Sequence, residues 1–469
     1  MLFVVIAYMI LMFGLSIYAS RRKKAQDSDD FLLAGRRLPA LLVACMVTGS
    51  AIGGVSTVGV AQNAYSHGMS AGFYTVAWAI GALFAGLFLA QKIRATGLPT
   101  PNQMFKAVYG DAFSSVILLV FISAMTVNIG NQLISAGSIL TGIIPSMPLR
   151  TAVICSSVLF IGIALIGGMW GAAITNLVNV IVIYIGIITC AVSLYAFGGA
   201  GDIRAALPQE YPYWWHPVRG MGTLAIISWL INLCVSGINS GSIFQSVVSA
   251  KTPREGRKGI FLAALFIAPS GFLCALLGVA CRAKFPNISD TKLVLPTILS
   301  AVPPWAAGLC LAALWAAVVS TAVSIIMGLG LMASKDLIIK YFLPDASEKA
   351  KVWIARACMV GLGLVGMLIG MNLTSIVGTM MSALSLMTPL SVLIVGFFLL
   401  PPRFSRKSTC WWTWGLGSTA YLTCTFVNTS WKIGGQSIYT TLLFTLLGYI
   451  ISLLVDKRPA EQIQFVEPI

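Results

Sequence analysis

Charge is what this sequence has least of. Only 9% of its 469 residues are Asp, Glu, Lys or Arg, against 58% hydrophobic, whereas a soluble domain carries about 25% charged residues. A water-soluble core is excluded, and a polytopic membrane protein remains. The shortage is patterned. All fourteen acidic residues fall between or beyond the apolar runs, no Lys or Arg sits in mid-run, and both histidines, His67 and His216, lie in connecting stretches. Proton-driven carriers run on carboxylates or imidazoles inside the membrane, so their machinery is missing here. An intramembrane hydrolase or metalloenzyme site is missing on the same ground. The ten cysteines form no CxxC pair, which excludes a disulfide framework or zinc site and leaves small buried hydrophobes. A cleavable signal is absent too. Residues 1–20 are apolar, but the basic cluster 21–24 follows them instead of preceding them, as in a retained span with its N-terminus outside.

What is present is apolar length. A crossing helix needs about 20 apolar residues. Thirteen such runs are read, at 2–20, 39–63, 72–91, 113–143, 151–168, 171–197, 221–247, 260–281, 304–333, 354–371, 374–400, 411–428 and 438–455. The uncharged GGMWGAA turn alone separates the fifth from the sixth. Starting outside, thirteen crossings end inside. That layout puts 23 of the 30 basic side chains on the cytoplasmic side and 7 outside, the bias that sets membrane orientation. The net charge of +16 is therefore an orientation signal, not a nucleic-acid surface. The expectation is an all-α polytopic membrane protein, residues 1–469 forming a single transmembrane domain, N-terminus out and C-terminus in. It sits as a multi-pass protein in the cell membrane, the inner one in a bacterium, as the short loops suggest.

Two spans are loosened at their centres. Residues 48–59 read TGSAIGGVSTVG, with four glycines and four hydroxyls, and residues 234–242 read CVSGINSGS. Glycine weakens a helix by up to about 1 kcal/mol relative to alanine, and an unpaired backbone group in hydrocarbon costs several more. Spans two to six and seven to eleven form two five-helix units, each opening with a loosened helix. An odd number of spans per unit inverts one against the other. Transporters built from inverted repeats bind substrate and ion at such breaks. Each segment alone is also compatible with close helix packing through small residues. The ninth span adds oxygen ligands. In LWAAVVSTAVSIIMG, Ala317, Ser320, Thr321 and Ser324 recur at i, i+3, i+4 and i+7 on one helix face. Carbonyls and hydroxyls without a carboxylate suit a monovalent hard cation held loosely enough to leave.

With FLLAGRRLP before the second span, GSAIGG within it, LWAAVVSTAVS followed by SKDLI at the ninth, and INLCVSGIN in the seventh, the sequence resembles the sodium:solute symporter family over essentially its whole length. The second span is similar to the choline-carrier branch. The resemblance implies a LeuT-type 5+5 inverted repeat, with an extra N-terminal helix (2–20), a first repeat (39–197), a second repeat (221–400) and two C-terminal helices (411–455). It implies Na+ as coupling ion, no organic cofactor, and a site built from the carbonyls of Gly49, Ile52 and Ala317 with the hydroxyls of Ser320 and Thr321. Several members carry a Thr-Asp pair in the sixth span whose carboxylate serves a second sodium. Here the pair is Thr175-Asn176, and an uncharged amide compensates a second dehydrated cation poorly, so one Na+ per substrate is expected.

Candidate substrate contacts lie near the breaks: Gly53 and Ser56, Phe73, Thr75 and Trp78 in the third span, Asn128 and Gln132 in the fourth, and Trp229, Asn232 and Asn239 in the seventh. Asn128 and Gln132 serve equally well as interhelical glue. Asn232 aligns with an asparagine that sugar-carrying members use on substrate. The aromatic pair that follows it there is replaced by Val235 and Ser236, which disfavours sugar stacking. A neutral or zwitterionic small molecule fits an uncharged core. So does a carboxylate held by Na+ and helix N-termini, or a quaternary amine boxed by Trp78 and Trp229. The expected function is sodium-coupled uptake of a small polar solute by alternating access, not an enzyme activity. The partners are that solute and the lipid bilayer, with no nucleic acid and a monomeric transport unit. A passive carrier on the same scaffold is the alternative.

Overall fold

The computed structural model describes residues 7, 8, 10–12, 14, 15, 17, 18, 28–144, 146–236, 241–373, 376–463 and 466. Most of the expected first span and all of the 237–240 stretch, Asn239 included, lie outside the described residues. Among the described ones, eight helices are long and apolar enough to cross a membrane, and the chain is a multi-pass membrane protein.

The helices that build the site are α1 (Ala40–Ala51), α2 (Val60–His67), α3 (Phe73–Phe88), α4 (Asp111–Ile143) and α5 (Leu149–Val192) in the first half. In the second half they are α6 (Thr223–Ser236), α7 (Gly241–Val248), α8 (Pro253–Ile267), α9 (Ser270–Lys284), α10 (Pro304–Leu331), α11 (Glu348–Gly370) and α12 (Ile376–Leu399), followed by α13 (Thr409–Leu422) and α14 (Ser437–Val455). The motif FLLAGRRLP turns sharply ahead of α1. Ala34, Gly35 and Arg36 all have φ near +55°, at 53°, 56° and 56°, a left-handed turn that is strained for the two non-glycines. Its far side is clipped to the end of the seventh span, where Leu38 N–H donates to Ser249 O at 3.0 Å and Lys251 N–H donates to Leu38 O at 2.8 Å.

Helix α10 is the axis of the bundle, buried along almost its whole length from Ala306 to Leu331. Alanine, serine and glycine let its neighbours approach to backbone distance. Helical backbone continues through all 44 residues of α5, yet its packing shows a reversal. On one straight helix, residues 160 and 186 would stand about 39 Å apart. Both nevertheless reach the same part of α10. The Phe160 ring lies 5.5 Å from that of Trp315, and a Cβ on Gly186 would stand 2.4 Å from Ala313 Cβ. The chain therefore doubles back between them, where the uncharged turn was expected.

Stretches expected on one side of the membrane also meet one another. Asp336, beyond α10, accepts from Thr100 Oγ1 at 2.6 Å and from Gln103 Nε2 at 2.7 Å, and Asp456 binds Ser408 N–H at 3.1 Å. At the opposite end, Tyr65 donates to Phe285 O at 2.7 Å and Ser138 to Lys292 O at 2.8 Å.

Candidate functional site

The break in the second span is a matter of where its peptide groups go. Helix α1 stops at Ala51. Ile52 has φ −91° and ψ 87°, outside the helical region, and the chain re-enters helix through a wide turn at Val55–Gly59 before α2. In a continuing helix the Gly53 N–H would donate to Gly49 O; it donates instead to Ser56 Oγ at 2.8 Å. The Gly54 N–H, due to Ser50 O, donates to Gln132 Oε1 at 2.7 Å. Two carbonyls are thereby released in mid-membrane, where an unpaired one costs several kcal/mol.

Helix α10 meets the first of them. Ser320 Oγ lies 3.2 Å and Thr321 Oγ1 2.5 Å from Gly49 O, and the same two hydroxyls lie 2.8 and 3.1 Å from Ala317 O. Four of the five oxygens expected to hold Na+ thus form one cluster. Among the described residues, no backbone N–H reaches the fifth, Ile52 O. The donor set is all oxygen, neutral and buried, which suits a hard monovalent cation. Glycine is required for this approach: a Cβ on Gly53 would stand 2.4 Å from Thr321 Oγ1, and one on Gly54 2.3 Å from Ser135 Oγ.

Asn176 closes the other side of Gly49, where a Cβ would come within 2.9 Å of the amide. Its Nδ2 donates to Ser324 Oγ at 3.2 Å and to Met46 Sδ at 3.1 Å. Asn179 Nδ2 lies 3.5 Å from Asn176 Oδ1, and Tyr8 donates to Asn179 Oδ1 at 2.6 Å. This row of neutral polar groups runs from Tyr8 through α5 to α10. Sequence reading left out Tyr8, Asn179 and Ser135. The recurrence of Asn176 and Asn179 at i, i+3 was the available signal.

The substrate candidates divide. Ser56 is turned onto its own backbone, donating toward Ala51 O and Gly53 O at 2.8 and 3.1 Å. Thr75 binds Ala268 O and Gly271 N at 3.1 and 2.9 Å, bracing the kink at Pro269 between α8 and α9. Phe73 packs edge-on against Phe272 at 5.6 Å. Asn128 accepts from Gln132 Nε2 at 3.0 Å, so this amide pair buttresses the break. Trp78 borders a small apolar gap with Val47, Gly81 and Leu233. Trp229 and Asn232, by contrast, line a cavity of about 300 Å³ with Asn63, Ser228, Met381, Ser382, Ser385 and Gln436. Trp78 and Trp229 thus border different spaces, so the cavity itself lends no support to the option of a two-tryptophan box. Tyr74 is the ring set against Trp229, T-shaped at 5.7 Å. Asn232 Nδ2 donates to Ser385 Oγ at 3.0 Å, and among the described residues its buried Oδ1 has no partner. Ser382, Ser385 and Thr388, spaced by three ahead of Pro389 in α12, were the missed signal for this wall.

The chain can now be set beside known proteins. It is 24% identical over 388 residues to the high-affinity choline transporter 1 of Drosophila melanogaster, covering 80% of this chain and 62% of that relative. It is 22% identical to the sodium/glucose cotransporter of Vibrio parahaemolyticus, covering 75% of this chain and 71% of that one. Among solved structures, a substrate-bound, outward-open Na+-coupled sialic acid symporter superposes with a TM-score of 0.80 over 98% of both chains at 16% identity; the two share the LeuT-type fold. The family model of the sodium:solute symporters matches residues 31–414. The protein belongs to the sodium:solute symporter family, a family of transporters and not of enzymes.

Proposed function

We propose that this protein couples the inward movement of one Na+ to the uptake of a small, uncharged or zwitterionic polar solute by alternating access. It does so across thirteen spans, arranged as two inverted five-helix units with one helix before and two after. The observation that carries the reading is the meeting of Gly49 O, Ala317 O and the hydroxyls of Ser320 and Thr321, all neutral oxygens, at a helix break. Na+ binding there would exchange these internal hydrogen bonds for coordination. It would thereby fix α1 against α10 at the point where the second span is interrupted.

The solute would occupy the cavity beside Trp229 and Asn232, whose Oδ1 offers a buried acceptor awaiting a donor. Among the described residues no carboxylate lines that cavity, and Lys432 is its single formally charged lining residue. A charge crossing 100 mV releases about 2.3 kcal/mol and a tenfold gradient about 1.4 kcal/mol. One ion therefore sustains roughly 500-fold accumulation of a neutral solute.

The test is a solute-panel thermal-stability screen on purified protein in Na+ and in K+, followed by uptake into proteoliposomes of whichever solute stabilises. Symport requires uptake that needs inward Na+. Equal uptake in both salts would identify a facilitative carrier instead.

A further inference from the structure

Arg356 sits eight residues into α11, about 12 Å from that helix's first residue, at the end of the bundle that carries most of the basic loops. Its guanidinium carbon lies 5.1 Å from the Trp353 ring centroid and 5.3 Å from that of Phe31. Phe31 is buried, whereas Trp353 is 67% exposed. A guanidinium held by rings keeps its five N–H donors in its own plane, the geometry that grips a phosphate bidentately. Among the described residues its Nε is buried without a hydrogen-bond partner, and no carboxylate pairs with the group.

Beside it opens a groove of about 840 Å³ lined by Leu165, Trp353, Arg356, Ala357, Val360 and Gly361. A Cβ on Gly361 would touch nothing within 4 Å. Beyond the groove the same helix exposes Leu364, Val365 and Leu368, at spacings that continue the face of Ala357 and Gly361, an apolar surface suited to hydrocarbon.

We propose that this groove seats an anionic glycerophospholipid, its phosphate on the free edge of Arg356 and an acyl chain along Val360, Gly361 and Leu364. Three features select this occupant. A cation with no counter-ion among the described residues, on a lipid-facing surface, calls for an anion. An exposed tryptophan one turn away marks the depth of the headgroups. The apolar wall beyond would add nothing to the binding of a soluble anion but is complementary to a fatty chain. The inner leaflet, toward which the basic loops point, supplies anionic lipid.

The full chain, purified and stripped of lipid in detergent, is titrated with phosphatidylglycerol and with phosphatidylcholine of the same chains, and bound lipid is counted by native mass spectrometry. Phosphatidylglycerol is expected to bind about tenfold more tightly, and Arg356→Gln to remove that preference while Arg356→Lys keeps part of it. Millimolar inorganic phosphate should not displace the lipid. Should Arg356→Gln fail to fold, Gly361→Leu carries the test. It fills the floor without touching the guanidinium and should weaken both lipids. Equal phosphatidylglycerol binding by wild type and Arg356→Gln overturns the proposal, as does unchanged lipid binding in Gly361→Leu. Displacement by free phosphate would make this a soluble-anion site and overturns it too. So would a lipid-independent dimer that Trp353→Ala dissolves, which would make the groove a protein interface.

Discussion

The hydroxyl of Thr321 donates to the carbonyl oxygen of Gly49 across 272 positions of sequence. Ser320 makes the same reach at 3.2 Å, so two neighbouring side chains of α10 converge on one peptide oxygen that has lost its helical donor. If these groups bind the coupling ion, removing either hydroxyl deletes a ligand and leaves the other oxygens in place. A polar contact to a charged group contributes about 1.5–3 kcal/mol. Ser320→Ala and Thr321→Ala should each raise the Na+ concentration for half-maximal thermal stabilisation roughly tenfold or more. Unchanged titration curves in both variants would remove Na+ from this place.

The break itself can be tested through Gln132. Its Oε1 is the acceptor for the Gly54 N–H at 2.7 Å, and its Nε2 is committed to Asn128. Gln132→Leu strands a buried donor at a cost of about 1–3 kcal/mol. We expect a lower unfolding temperature and a weaker response to Na+ together. Asn128→Ala, which spares the Gly54 contact, should lower stability while leaving the Na+ midpoint closer to wild type. Equal Na+ midpoints in Gln132→Leu and wild type would show that the amide does not hold the break open.

Close packing gives a third prediction. The Cβ of Gly54→Ala would fall 2.4 Å from Ser135 Cβ, a clash that overpacking data put at about 1–3 kcal/mol. Gly54→Ala should destabilise, and the double variant with Ser135→Gly should recover most of the loss, because the obstructing atoms are gone. Gly361→Ala, placed in open space, serves as the silent control. A double variant no more stable than Gly54→Ala would mean that Ser135 is not the obstruction, because Gly54 itself sits at φ −58° and ψ −35°, where any residue fits.

How far the fold could be read in advance follows from what hydropathy and charge report. Apolar runs and the placement of Lys and Arg describe a chain segment against solvent, so the spans and the shared-side loop contacts such as Asp456 with Ser408 were accessible. The oxygen cluster at Gly49 was accessible because Ser320 and Thr321 are polar where nothing polar is needed. The wall of the Trp229 cavity was harder. Thr75 and Ser56 have the same composition signature as Ser385, and whether a hydroxyl faces a cavity or the backbone depends on the rotation of its helix about its axis. Tyr74 escaped notice because an aromatic residue in a membrane helix is unremarkable until Trp229 is found against its edge. The 44-residue helical stretch of α5 carries the same lesson in reverse. The uncharged turn was legible as a boundary, but only Phe160 and Gly186 reaching one segment of α10 fix it as a reversal.

Acid should act late on the C-terminal anchor. Asp456 accepts from Ser408 N–H and from Arg458, whose guanidinium holds its carboxyl far below the usual carboxylate range. A carboxyl depressed in the fold contributes stability that is complete above its unfolded value, about pH 4, and that fades as pH falls toward the lower folded value. The link between the 403–409 turn and the tail should therefore persist at pH 5, and Asp456→Asn should loosen it equally at pH 5 and pH 8. Limited proteolysis of the tail reads this directly. Cleavage of the wild type that rises between pH 8 and pH 5 would place the controlling group elsewhere.

Ion stoichiometry turns on Asn176. The amide lies between Gly49 and Ser324 and already spends its N–H donors on Ser324 Oγ and Met46 Sδ. A cation there would face an amide oxygen and a hydroxyl without any formal negative charge, and desolvating it would go largely uncompensated. One Na+ per solute is therefore expected, read as the flux ratio or as the reversal potential in proteoliposomes. Asn176→Asp changes the electrostatics without changing the shape. In that variant the carboxylate would lose the donors' interaction with Met46 but gain the capacity to balance a second ion beside Ser324. The Na+ dependence of stabilisation should steepen, and at low Na+ the variant should be less stable than wild type because its buried charge stands alone. Should the wild type itself move two Na+ per solute, neutral oxygens suffice for both ions and the charge argument at this position fails.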